Sequence, residues 1–164
     1  MYYSKIRKYD VSNAPGVRTT LFVSGCTNNC EGCFNQELQD FKHGDKWTVD
    51  TEDEFISYVK NPNVVGVNIL GGEPMQQDLS LLKLLVRIKN ETNKNIWLWS
   101  GFTYEHIINN PHCSKILNYI DVLVDGKFEL NKRDLSLKYR GSSNQRVIDV
   151  KKSLIENKLV LYKY

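Results

Sequence analysis

The sequence has no run of about 18 apolar residues, so nothing in it reads as a membrane-spanning helix. No apolar stretch follows the basic opening MYYSKIRKYD, so no signal peptide is expected. A chain without one is expected in the reducing cytoplasm, where disulfides are rare. Neither charge dominates: 22 basic and 19 acidic residues leave a net +3, too little to imply a nucleic-acid partner. Internal repeats, low-complexity tracts and linkers are absent. With 41% hydrophobic and 25% charged residues over 164 positions, the expectation is one folded domain, residues 1–164, around one core. Cysteine is scarce, four residues in all, yet three of them fall within eight positions. In a reducing compartment such a cluster reads as metal ligands rather than disulfides.

What is present is an alternation of short apolar runs with helical patterns. VRTTLFV, Val17 to Val23, is β-branched and aromatic and ends at Gly25. TEDEFISYVKNP opens with a capping-box pattern, Thr51 with Glu54, and stops before Pro62. VVGVNIL, Val64 to Leu70, reads as a buried strand ending at Gly71-Gly72. DLSLLKLLVRIKNE follows as a helix, with Leu79, Leu82 and Val86 on one face and Leu81, Leu85 and Ile88 beside it. NIWLWS and IDVLVD read as two more strands, separated by a helix broken at Pro111. Trp97 and Trp99 share a strand face and are assigned to packing. A loop-rich stretch containing YRGSSNQ comes next, and the tail, RVIDV and KLVLYKY, suggests two short strands around a short helix. This order predicts βα units on a parallel sheet, with chemistry at the strand ends. A complete eight-unit barrel needs roughly 200 residues or more. The expected fold is therefore α/β, a partial (β/α) barrel open on one side.

The cysteine cluster is Cys26-x3-Cys30-x2-Cys33, just past the first of these strands. Structural zinc takes four ligands, usually as two close pairs. A fourth would have to come from Cys113, His43, His106 or His112, none in a paired motif. The alternative is an iron–sulfur cubane held by three thiolates, its fourth iron open to a substrate, and the spacing favours it. Cys113 is read as a buried, inert thiol. Asn28 and Asn29 suit tight turns, and Gly32 lets backbone come close. Two further motifs close strands: LGGEP (Leu70 to Pro74) and VDGKF (Val124 to Phe128), each an ordinary turn when taken alone.

Together these motifs resemble the radical S-adenosylmethionine (SAM) superfamily, whose signature is C-x3-C-x2-C followed by an aromatic, here Phe34. The closer resemblance covers most of the chain and is to the family of anaerobic ribonucleoside-triphosphate reductase activating proteins. It rests on APGVRTTLFVSGC, CEGCFN, LGGEP, NIWLWSGF, DVLVDGKF and YRGSSNQ. The resemblance implies a [4Fe-4S] cluster on Cys26, Cys30 and Cys33, with SAM on its open iron. It further implies SAM contacts from Gly32, Cys33, Phe34, Gly71, Gly72, Glu73, Asp125 and Lys127. Among these, Gly71, Gly72 and Glu73 would meet the methionyl ammonium, and Lys127 the carboxylate. Arg140 to Gln145 would serve the site or the partner surface. The implied activity is that of an oxidoreductase that makes a glycyl radical on the reductase's large subunit, fed by a flavodoxin-type donor. No nucleic acid or membrane is implied. Two departures stand out: Ala14 where the family usually has glycine, and Phe34 where tyrosine is frequent. The alternatives are an activase for another glycyl-radical enzyme, such as pyruvate formate-lyase, or a non-catalytic iron–sulfur or zinc protein.

Overall fold

The basic opening segment, assigned no element from its sequence, forms a strand in the computed structural model, which describes residues 1–164. This strand, β1 (Tyr2–Asp10), pairs antiparallel with β2 (Arg18–Val23). Its exposed basic residues hid it: Tyr3 and Ile6 reach the edge of the core while Lys5 and Lys8 face solvent. The two-residue β3 (Asp45–Lys46) pairs with the outer side of β1. Next come β4 (Gly66–Gly71), β5 (Asn95–Trp99) and β6 (Val122–Asp125), all parallel with β2, and β7 (Arg146–Asp149) lies antiparallel to β6. The spatial order is β3-β1-β2-β4-β5-β6-β7. The four central strands are the expected βα units. Antiparallel strands on both flanks make the sheet mixed, which corrects the all-parallel expectation.

The sheet is open, and both edges are modest. Asp45 and Lys46 of β3 are exposed. Outside β7, the tail donates from Tyr162 N to Val147 O (2.8 Å) and accepts from Asp149 N at Val160 O (2.9 Å). The tail's expected second strand is thereby reduced to one bridge, Leu161 with Ile148.

Helix starts follow side-chain caps. Thr48 caps α1 (Val49–Val59) by accepting from Thr51 N, so Thr51 lies inside the helix rather than at its cap. Asp78 caps α2 (Leu79–Glu91), whose buried stripe is Leu81, Leu84, Leu85 and Ile88. Leu79, expected on a buried face, is 59% exposed. It sits on the flank of the i, i+3, i+4, i+7 stripe that meets the sheet. After Thr103 come α3 (Tyr104–Asn109) and, beyond Pro111, α4 (Cys113–Leu117); α5 (Val150–Glu156) starts at Asp149.

Strand alternation sorts the sheet's two faces. Leu21, Val23, Val67, Ile69, Ile96, Leu98 and Leu123 join the helices in a core of 24 residues. The other face carries Trp97, Val122 and Val124, packed with Ala14 and Val147. Buried polar groups close this face near the strands' N-terminal ends. Arg18 donates to Asn68 Oδ1 (2.6 Å) and to the carbonyls of Val67 and Asn95 (both 2.9 Å), while Thr20 donates to Asp10 (2.6 Å). That leaves the opposite, C-terminal ends of β2, β4, β5 and β6 free for a site.

Candidate functional site

A cavity of about 490 Å³ lies across those strand ends and the sheet face beside them. Cys26, Cys30 and Cys33 all line it. Their loop is shaped by backbone conformations that few residues adopt: Gly25, Asn29 and Gly32 have φ of +105°, +49° and +68°. Gly25 N donates to Leu38 O (2.8 Å) and Cys26 N to Gln39 O (3.2 Å), which ties the loop to the short 3₁₀ turn Gln36–Gln39. Asn28 N and Asn35 N each donate at 3.4 Å, to Cys26 Sγ and Cys33 Sγ. Burial pushes the Cys26 and Cys30 thiols up, opposed by the N–H of Asn28 on the first and of Phe128 on the second. No three His, Cys, Asp or Glu side chains converge tightly enough to hold a single metal ion. A cubane instead takes one thiolate per iron corner, so its ligands stand further apart.

Glu73 is completely buried and is the hub of the site. Its carboxylate accepts from Ser100 Oγ (2.7 Å), Gly101 N (2.7 Å), Asn28 Nδ2 (2.8 Å) and Met75 N (3.0 Å). Burial pushes this carboxyl up, and the four donors pull the other way. Four donors fill the acceptor sites of a carboxylate. Glu73 therefore ties the cysteine loop to the ends of β4 and β5, and it also lines the cavity. The glycines beside it permit close approach. A Cβ on Gly72 would lie 2.5 Å from Gly25 O, and one on Gly101 would lie 2.4 Å from Asn28 Nδ2. Gly71 has φ +115°, and its carbonyl accepts from Asn35 Nδ2 at 3.3 Å.

Of the other expected contacts, Phe34 lines the cavity, its ring tilted against that of Phe128 with centroids 5.0 Å apart and the Arg133 guanidinium over it at 5.3 Å. Gly32 does not line it; a Cβ there would meet Leu130 at 2.9 Å. Asp125 does not line it either: its buried carboxylate accepts from Tyr104 N (2.7 Å) and from Arg146 Nη2 (2.5 Å) and Nε (3.0 Å). Lys127 points to Asn28 O (3.4 Å), outside the cavity wall. From that motif only Gly126 and Phe128 reach the cavity.

Sequence reading missed several wall residues. Trp99, assigned to packing, lines the cavity and donates from Nε1 to Tyr139 O (2.8 Å). Its position at the C-terminal end of β5 was the available signal. Ser12 and Asn13 come from the β1–β2 connection. Leu137 and Tyr139 come from the segment joining β6 to β7, which covers this side of the cavity together with Arg140, Gly141 and Gln145 of the stretch expected to serve the site or the partner surface. Gln145 anchors that segment: Oε1 accepts from Gly141 N (2.8 Å) and Ser142 N (3.1 Å), and Nε2 donates to Gly126 O (2.9 Å).

Comparison with known proteins gives consistent results. Residues 12–148 match the family model described as a 4Fe-4S single cluster domain. A Vibrio cholerae protein named anaerobic ribonucleoside-triphosphate reductase-activating protein is 42% identical over 150 residues, 88% of this chain and 96% of its own. The Escherichia coli K12 protein of the same name is 38% identical over 152 residues, 90% of this chain and 97% of its own. One from Enterobacteria phage T4, again with that name, is 36% identical over 151 residues, 90% of this chain and 93% of its own.

Proposed function

Because this chain belongs to the family of anaerobic ribonucleoside-triphosphate reductase-activating proteins, we propose that it activates an anaerobic (class III) ribonucleotide reductase as a radical SAM oxidoreductase. The observation that carries this reading is the set of three thiols on one cavity wall, beside a glycine-lined cradle at the ends of parallel strands. Cys26, Cys30 and Cys33 would hold the cluster. The Asn28 and Asn35 N–H groups stabilise charge on two of the sulfurs, one of the protein's levers on a cluster's potential. When bound, the cluster supplies the electron that cleaves SAM to methionine and a 5′-deoxyadenosyl radical, the group that takes a Cα hydrogen from a glycine of the large subunit.

The chain's own residues bind, orient and exclude. Glu73 and Ser100 fix the cysteine loop against β5. The Gly71 and Gly72 backbone offers acceptors where a Cβ would intrude. Phe34 and Phe128 supply an aromatic wall that suits adenine, and ring stacking needs no phenol. The open sheet is read as the partial barrel of this superfamily, in which a side opening would admit a polypeptide loop. An external low-potential donor of the flavodoxin type and a reducing cytoplasmic setting complete the reading; no helix is long and apolar enough to cross a membrane.

The experiment is anaerobic reconstitution followed by SAM, reductant and the large subunit. A glycyl radical signal with stoichiometric 5′-deoxyadenosine is expected. A colourless protein holding one zinc and no sulfide, or a reconstituted one yielding neither product, overturns the reading.

A further inference from the structure

Two arginines line the cavity, and their guanidinium groups differ in how they are occupied. Arg7 pairs with Asp10 at 3.8 Å and lies over the Phe22 ring at 5.1 Å. Arg140 takes part in no ion pair. Its Nη1 donates to Gln145 O (2.5 Å), and its Nε is buried with no partner. The Nε is shut off from the cavity, whereas Nη2 bonds nothing in the protein and is the donor left for a ligand. Nearby Asp134 feels the charge of Arg140 but is fully exposed and bonded to Ser136.

The guanidinium is also held in place. Gln145, whose carbonyl it contacts, is fastened through its side chain to Gly126 at the end of β6 and to the Gly141 and Ser142 amides. A pre-positioned, unpaired cation on a cavity wall is suited to an anionic acceptor. Lys127, the residue that the resemblance offers for this task, is directed at Asn28 O and does not line the cavity.

The geometry points to Arg140 as the residue that receives the carboxylate of the ligand's amino-acid portion, which gives the YRGSSNQ segment a ligand-recognition role. The inference rests on the proposed function, in which that ligand is SAM. A carboxylate could also be brought by the partner polypeptide, and the test separates the two sources.

Equilibrium binding is measured on the reconstituted protein without the reductase, using SAM and decarboxylated SAM, which keeps the sulfonium and the amine. Iron and sulfide content are matched between samples. Wild-type protein is expected to prefer SAM by at least about 10- to 100-fold, the range for a charge-assisted hydrogen bond alone. Arg140→Ala should lose about 10-fold or more of that preference, the remainder being ligation of the open iron by the carboxylate; Arg140→Lys should regain part of the loss, and Lys127→Ala should keep the preference in full. An Arg140→Ala protein that retains the full preference overturns the assignment, as does a Lys127→Ala protein that loses it. If Arg140→Ala keeps the wild-type preference and lowers only the glycyl radical yield at saturating SAM, the carboxylate is the partner's and the assignment is wrong. If wild type with an intact cluster binds neither compound, the functional reading itself falls.

Discussion

Glu73 shows how one side chain can join separate segments beside a site. Four donors from three separate segments converge on its carboxylate. In Glu73→Gln an NH2 group must face donors it cannot satisfy. The variant should lose about 2–3 kcal/mol of stability and bind less iron after reconstitution. Thermal melting and iron analysis check this; wild-type values for both would end the hub assignment. The cysteines should divide cleanly. Alanine at Cys26, Cys30 or Cys33 should abolish cluster assembly and 5′-deoxyadenosine formation. Cys113 is buried, and its Sγ contacts Met75 O at 3.6 Å, away from the cavity wall. Cys113→Ala should keep the full iron and sulfide content and cost about 1 kcal/mol for the lost packing.

Between elements, close backbone approach and one buried acid do most of the positioning. Gly72 lets the end of β4 touch the cysteine loop, so Gly72→Ala must move one or the other. A loss of about 1–3 kcal/mol is expected, with impaired reconstitution visible in the iron–sulfur absorbance. At the opposite end of the sheet, Asp121 ties α2, β5 and α5 to the start of β6, accepting from Lys89 and Ile96 N (both 2.7 Å) and pairing with Lys151 (2.5 Å). Burial alone would raise its carboxyl; the two lysines and the amide outweigh burial and hold it below the usual range. A lowered folded-state pKa adds stability above the unfolded value, about 3.9, and that stability is lost as pH falls through the folded one. Wild-type stability should therefore drop on acidification below about pH 4, and Asp121→Asn should flatten that limb. Denaturant midpoints across this range measure the difference.

The parallel strands and the cysteine loop were legible because apolar runs, turn residues and ligand spacing are local signals. β1 was not, because its apolar residues only graze the core and its charges dominate the pattern. The hydrogen-bond partners of Glu73 and Asp125 lie 21 to 45 positions away at their furthest, as in Asp125 with Arg146 and Glu73 with Asn28. No local pattern records such pairings. For the same reason Asp125 and Lys127, two positions apart at a strand end, looked alike in sequence but separate in space.

Across the whole molecule, stability is unevenly spread. The central parallel strands are buried on both faces and bonded on both sides, whereas residues 127–145 are held largely by side-chain contacts such as those of Gln145, Asn144 and Ser142. Hydrogen exchange should be slowest in β4 and β5 and fastest in this covering segment. Equal protection in the two regions would contradict that division.

The edges of the sheet have a practical consequence. One edge is occupied by the chain's own tail; on the other, β3 covers only Tyr2 and Tyr3, and the rest of the outer side of β1 is guarded by its charges, Lys5, Arg7 and Lys8, rather than by a partner strand. A protein that must keep strand ends accessible beside reactive thiols is thereby protected from ribbon-like self-association. Iron-free preparations should stay dispersed when concentrated, as long as the thiols are kept reduced.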